Sequence, residues 1–161
     1  MIDISGFGTG VTIIALQSFP MGFTVSEFAD DKDAIVCEPM EAAAWDMLYD
    51  GTLFAYNKAS PVQISLSLIP GSDDDINMKI LLQGNVSSSG ILPLPNTTSM
   101  VINYPSGLVM LGNGVLYRGP LTDSVQATGR KSGNTYDFAF GSFMGAQSPM
   151  EAVAGLISSF L

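Results

Sequence analysis

Apolar and polar residues alternate at a period of two along most of this chain, which restricts it to sheet-forming architectures. Between Pro61 and Pro70, Val62, Ile64, Leu66 and Leu68 alternate with Gln63, Ser65 and Ser67. That pattern predicts a strand that buries one face and wets the other. From Val11 to Gln17 both alternate sets are partly apolar, which predicts cover on both sides. Thr52, Phe54 and Tyr56 share a face, and Met100, Ile102 and Tyr104 alternate with Ser99, Val101 and Asn103. Leu108–Leu111 and Val115–Tyr117 flank Gly112-Asn113-Gly114, which predicts a tight hairpin because Asn and Gly readily adopt positive φ. Leu121, Asp123, Val125 and Ala127 read as a further strand. The loop Gly129–Gly133 then leads into a last strand with Tyr136, Phe138 and Phe140 on one face. About seven or eight strands at this spacing indicate a mainly β fold, an antiparallel sandwich or barrel.

One helix, at about residues 72–84, interrupts the strands and makes the class α+β. Ser72 is the expected N-cap, Asp75 completes a capping box with Asp in place of Glu, and Asp73–Asp75 suit the positive end of the helix dipole. Ile76, Ile80 and Leu81 form the expected apolar stripe, and Gly84 the expected end. Residues 27–51 resist both periods. They carry Glu27, Asp30, Asp31, Asp33, Glu38, Glu41, Asp46 and Asp50 against Lys32 alone, and read as a long acidic loop. Within it, Ala42–Trp45 is either a helical turn or an extended arm. The expected organisation is an N-terminal arm (1–10), a barrel domain (11–141) and an apolar tail (142–161). The tail is expected to dock on a neighbour, or else to form a short helix on its own domain.

Composition says what covers such a domain. Only 13% of the 161 residues are charged and mean hydropathy is +0.33, whereas a typical domain is about 25% charged. So sparse a charged surface suggests that other subunits cover much of it. A net charge of −9 disfavours a conventional nucleic-acid-binding face. The start Met1-Ile2-Asp3 does not read as a signal peptide, and no apolar run reaches the ~18–20 residues that span a bilayer. Cytosolic synthesis without a membrane is expected.

No constellation for catalysis emerges. With no His, nucleophile–imidazole pairs are absent, and the lone Cys37 excludes an intramolecular disulfide and a Cys-only zinc site. Asp30-Asp31-Lys32-Asp33 and Asp73-Asp74-Asp75 lack the frame of a calcium loop, and helix capping accounts for the second. Gly6-Phe7-Gly8-Thr9-Gly10 is followed by neither a Walker lysine nor a helix. The expectation is no catalytic residue, no cofactor and no metal, with a small carboxylate-dependent hydrolase as the weakest alternative.

Several segments together carry a resemblance. They are Val11–Ile14, Phe19–Asp31, Asn57–Pro61 with the strand after it, Ile69–Asp75, the Gly114 hairpin, Gly129–Lys131 and Tyr136–Phe140. In order and spacing the chain resembles the tail tube proteins of long-tailed bacteriophages, contractile ones foremost. The resemblance implies a tube-type β-barrel with a flanking helix, and self-association into hexameric rings stacked as a hollow tube. It also implies sheath, tail terminator and baseplate partners, passage of DNA without specific binding, no catalytic residue, and a place in the virion tail after synthesis in the host cytoplasm. A ring-forming subunit of a phage-tail-like secretion or bacteriocin tube is the alternative. Candidate subunit contacts are Phe19, Phe23, Phe28, Asp30, Asp31, Trp45 and Tyr49, with Met40, Met47 and Leu48 as further anchors in the acidic loop. Candidate lumen-facing residues are Gln63, Ser65 and Ser67, on a wall whose acidity would repel phosphate.

Overall fold

Alternation becomes burial strand by strand. In the computed structural model, which describes residues 8–16, 18–86, 97–105 and 107–146, β1 (Gly10–Ala15) buries Val11, Ile13 and Ala15 and leaves Thr12 and Ile14 half-exposed. β2 (Phe19–Val25), β3 (Ile35–Cys37), β4 (Ala43–Met47), β5 (Leu53–Asn57) and β6 (Val62–Leu68) follow. Next come α1 (Asp73–Asn85), β7 (Thr98–Tyr104), β8 (Gly107–Arg118) and β9 (Asn134–Ala146). Seven strands form one antiparallel sheet in the order β2-β1-β7-β8-β9-β6-β3, curled into a half-barrel, while β4 and β5 pair apart from it. One core joins Ile13, Leu66, Leu68, Met100, Ile102, Leu116, Tyr136, Phe138 and Phe140 from the sheet to Met78, Leu81 and Leu82 of α1. The helix thus takes the place of a second layer, and each of its buried side chains contributes about 1.5–3 kcal/mol.

The helix starts as its sequence indicates but presents a different face. Ser72 caps it, with its Oγ accepting from Asp75 N at 3.2 Å. Ile76 and Ile80 remain about half exposed, and Met78, Leu81 and Leu82 are inside. Two carboxylates set this rotation. Asp74 Oδ2 accepts from Ser26 N (3.0 Å) and Glu27 N (3.1 Å). Asp75 Oδ1 accepts from Tyr136 Oη (2.6 Å) and Asn134 Nδ2 (2.9 Å). Met78, Leu81 and Leu82, the buried apolar residues, lie three, four or seven positions on from these acids and so share their face. The helix also runs past Gly84 to Asn85.

Four further expectations are corrected. Gly112-Asn113-Gly114 is not a hairpin: β8 runs through it unbroken, and the positive φ of Asn113 (52°) instead serves a bulge where the β7 register slips. β9 pairs along nearly all of β8, from Leu108 to Arg118, so a continuous ladder overrides the local turn preference. Leu121–Thr128 forms no strand. It is a loop with one bridge, Val125 to Lys131, because Leu121 and Val125 meet no sheet face and remain exposed. The acidic excursion contains two strands, β3 and β4, and Ala42–Trp45 takes its extended alternative. Finally, β9 passes the expected boundary at 141 and continues to Ala146. Residues 1–7 of the arm and 147–161 of the tail lie outside the described residues.

Loop 119–133 is tied down by charge. Asp123 accepts from Lys79, from Lys131 (3.0 Å) and from Asn134 (2.9 Å), which hold its carboxyl well below the usual range. Burial pushes Asp75 up, but hydrogen bonds from Tyr136, Asn134, Gly71 and Lys79 outweigh it and leave the group below its ordinary value. Burial, then the Asp75 charge, pushes the Tyr136 phenol well up.

Two outcomes follow. Depressed carboxyls contribute stability that is complete above about pH 4 and is lost as pH falls below it. Thermal unfolding midpoints will therefore drop on acidification, and Asp123→Asn will lower the midpoint at pH 7 while flattening its acid limb. At Gly114 an added Cβ would lie 2.2 Å from the Phe140 ring and 2.9 Å from Ala139 O. Gly114→Ala is expected to cost about 1–3 kcal/mol in urea unfolding.

Candidate assembly surface

The β4–β5 ribbon is apolar on both faces. Register pairs Trp45 with Ala55 and Met47 with Leu53 on one side, and Ala44 with Tyr56 and Asp46 with Phe54 on the other. Trp45 is 70% exposed, Tyr56 54% and Phe54 52%, and all five residues of β5 are exposed. Phe54 and Tyr56 lie against each other with ring centroids 6.0 Å apart. Leu48 and a fully exposed Tyr49 form the tip.

This ribbon is held at both ends. At the tip, Leu48 N donates to Thr52 O (2.8 Å), Gly51 N to Leu48 O (2.9 Å) and Thr52 N to Asp50 Oδ1 (2.9 Å), with Gly51 at φ 87°. Hydrogen bonds from the Thr52 side chain and backbone hold the Asp50 carboxyl below its usual value. At the base, Lys58 Nζ meets Glu41 Oε2 at 3.1 Å and Ser60 Oγ donates to Glu41 O at 3.0 Å. An isolated two-stranded ribbon is marginal in water, and exposed apolar area of this kind marks an interaction surface.

The expected contact residues divide into two groups. Trp45 and Tyr49 stand on the ribbon. Phe19 and Phe23, edge to face at 4.8 Å, are half-buried against the chain's own core, as is Phe28, whose backbone bridges Leu68. Asp30 pairs with Arg130. Asp31 Oδ2 accepts from Gly133 N at 3.1 Å, the main cause of its lowered pKa, and Lys32 Nζ donates to Gly133 O at 2.8 Å. The first third of the acidic segment therefore straps the chain's own sheet. Phe54, Tyr56 and Leu53 belong to the ribbon but are absent from the expected contacts. The signal for them is the lack of any polar phase across Leu53-Phe54-Ala55-Tyr56.

Of the candidate lumen residues, Gln63 is exposed. Ser65 Oγ donates to Asp137 Oδ1 (2.5 Å), and Ser67, only 3% exposed, shares a hydrogen bond with Thr135 Oγ1 (3.0 Å). Ser67 thus faces its own chain in the isolated subunit. Arg118 Nε also bonds Asp137, at 2.5 Å. These groups line an open depression of about 540 Å³ together with Lys32, Asp33 and Glu38. Within it Arg118 pairs with Asp137, and Lys32 is bonded to Gly133 O. Among the described residues, no three Cys, Asp or Glu side chains gather closely enough to hold a metal, and no helix is long and apolar enough to cross a membrane.

Among the described residues the half-barrel sheet has β2 and the three-residue β3 as its edge strands. On β2, Pro20 and a bulge at Gly22 (φ 77°) break the outer half of the edge, leaving Phe23–Val25 regular.

Comparison with known proteins places this chain among tail proteins by family and by fold. A family model described as tail fiber protein gp32 matches residues 2–144. A solved chain described as the sheath/tube terminator of an extracellular contractile injection system, PVC, in its extended state, matches with a TM-score of 0.52. That match has 10% identity and covers 89% of this chain and 96% of the other; it speaks to the fold, a mostly β sheet with one helix. No curated protein matches. The phage-tail character implied by the resemblance is thereby supported, and the matched family is named for a tail fiber protein, not for a tube.

Trp45 is the chain's one tryptophan and reports directly on the ribbon. In dilute protein its emission is expected to be red-shifted and quenched by acrylamide as readily as a free indole. A blue-shifted, protected signal would mean that the ribbon is already covered.

Proposed function

The chain belongs to the tail fiber protein gp32 family, whose members are structural, not enzymatic, components of a phage tail in the virion, and from that premise we propose that it is a ring-forming subunit of the tail's tube. The observation that carries this reading is the β4–β5 ribbon, apolar on both faces and standing outside the core. A two-faced ribbon suits insertion between two neighbours, which a head-to-tail interface provides. Stacked hexameric rings would receive it from the adjacent ring, and the regular half of the β2 edge would extend a neighbour's sheet. The low charge of the chain agrees with a surface that is largely covered in the working state. Sheath subunits outside, and terminator and baseplate proteins at the ends, complete the proposed set of partners. A net charge of −9 favours passage of DNA without adhesion.

A second reading has its own support. The structural neighbour is described as a sheath/tube terminator, and a subunit of that kind would close a stack instead of extending it. Electron microscopy of concentrated protein separates the two: hollow rods support the tube, and rings that never stack support the terminator. Dispersed particles at every concentration would count against both.

Replacing Trp45, Phe54 and Tyr56 together by Ser tests the ribbon. These side chains are exposed, so the unfolding midpoint should hardly move. Buried anchors of this kind are worth about 2 kcal/mol each, so assembly should require at least 100-fold more protein. Wild-type assembly by the triple variant would remove the basis of this proposal.

A further inference from the structure

The β4–β5 ribbon is the far half of one long hairpin whose near half is β3–β6. At the near end Cys37 lies opposite Ile64, and Glu38 N donates to Gln63 O at 3.1 Å. At the far end Ala43 lies opposite Asn57, and Lys58 N donates to Ala42 O at 3.3 Å. Between these two bonds the ladder is broken. Pro39 on one strand and Pro61 on the other have no N–H to give, and among the described residues no backbone hydrogen bond crosses from 39–41 to 59–62. The register also slips here: continued from β3–β6, it would set Ala43 opposite Lys58 instead of Asn57. One strand therefore carries an extra residue, and a bulge of this kind bends a ribbon.

Little else fixes the angle at this break. Pro39, Met40, Glu41 and Pro61 are exposed, and with Ser60 they line an open gap of about 170 Å³. β4 and β5 pair with each other alone, and none of their residues joins the core. Two contacts bridge the gap: Ser60 Oγ to Glu41 O (3.0 Å) and Lys58 Nζ to Glu41 Oε2 (3.1 Å). The side chains of that ion pair are 49% and 61% exposed, and pairs so exposed hold weakly. Within the ribbon, by contrast, the register runs unbroken from Ala43 to Met47, and backbone and Asp50 hydrogen bonds close the tip. A unit that is ordered within and loosely held at one joint moves as a lever. We propose that residues 39–42 and 58–62 form a two-strand hinge on which the β4–β5 ribbon swings as one body against the half-barrel, on the microsecond-to-millisecond timescale of such motions. Its use in assembly rests on the reading of the ribbon as the contact between neighbours: the free subunit samples several ribbon angles, and a neighbour selects the one that fits.

Distances between pairs of spin labels test the swing in the full-length chain. On a Cys37→Ser background, Thr24→Cys on β2 is labelled together with Tyr49→Cys at the ribbon tip, or with Ser142→Cys on β9 as a pair within the sheet; all three positions are exposed. Dilute protein is frozen, and double electron–electron resonance reads the distribution of distances. The tip pair is expected to give a distribution at least twice as wide as the sheet pair. Pro39→Thr with Pro61→Thr, which returns two donors to the ladder, should remove at least half of the excess width. Pro61→Thr alone serves if the double variant does not fold. Equal widths for the two pairs would overturn the hinge. So would a wide tip distribution that the proline replacements leave unchanged, which would mean that the ribbon itself melts. Because the widths are read on the free subunit, a failed hinge leaves the ribbon's part in assembly to the replacement of Trp45, Phe54 and Tyr56, and a failure there leaves the hinge standing.

Discussion

A fully buried carboxylate, Asp75, organises this molecule. It takes hydrogen bonds from Gly71 N at the helix entry and from Asn134 and Tyr136 on β9, and an ion pair from Lys79 one turn on. Lys79 in turn reaches Asp123, so helix, sheet and loop 119–133 share one polar network. A lone carboxylate at such a depth would be strongly destabilising. Satisfied four ways, it fixes the helix in one rotation and one position on the sheet. What the helix covers and what it leaves bare follow from that placement.

The acidity of the chain is largely an internal resource. Asp30 and Asp31 fasten the strap over loop 130–133, Asp74 holds Ser26 and Glu27, and Asp137 joins Ser65 to Arg118. The pairs with Arg118 and Arg130 are already netted out of the charge of −9, while Asp31 and Asp74 are held by backbone N–H groups of the chain itself. What remains unusual outside is apolar: the exposed β4–β5 ribbon. In the proposed assembly desolvation of apolar area would outweigh charge pairing, so added salt should not weaken it as it weakens an electrostatic interface.

Period-two alternation makes most of the sheet legible from the residues alone. β6 buries Ile64, Leu66 and Leu68, β7 buries Met100 and Ile102, and β9 buries Tyr136, Phe138 and Phe140, as their pattern selects, although Tyr104 is exposed and Ser67 is buried. The cap at Ser72 is legible too, because a capping box is local chemistry. The misreadings share one cause, which is that long-range contacts outvote local ones. At Asn113 two flanking strands hold β8 straight through a turn sequence. In α1 the bonds of Asp74 and Asp75 to distant partners choose the face, and no helical stripe encodes those partners. Leu121–Ala127 alternates, yet it has no sheet face to meet. For the assembly surface, Trp45 and Tyr49 stand out as aromatic residues within an acidic segment. The other half of the ribbon, Phe54 and Tyr56, looks like an ordinary barrel strand, because sequence does not reveal that β5 pairs with β4 alone.

That separation has a consequence for association. A ribbon locked at its tip by Asp50 and Thr52 and clasped at its base by Glu41 and Lys58 loses little conformational freedom when a partner closes on it. Disordered segments of equal area lose more, since each residue ordered on binding costs of order 1 kcal/mol. The ribbon is thus pre-shaped without being pre-covered. In the proposed assembly its strands would gain a covering layer from a neighbour, so the contact that joins two subunits would also complete a local fold. Ribbon stability and association would then be coupled: sequence changes at the turn residues Asp50 and Gly51 would act on association by changing how well the free ribbon already holds its bound form.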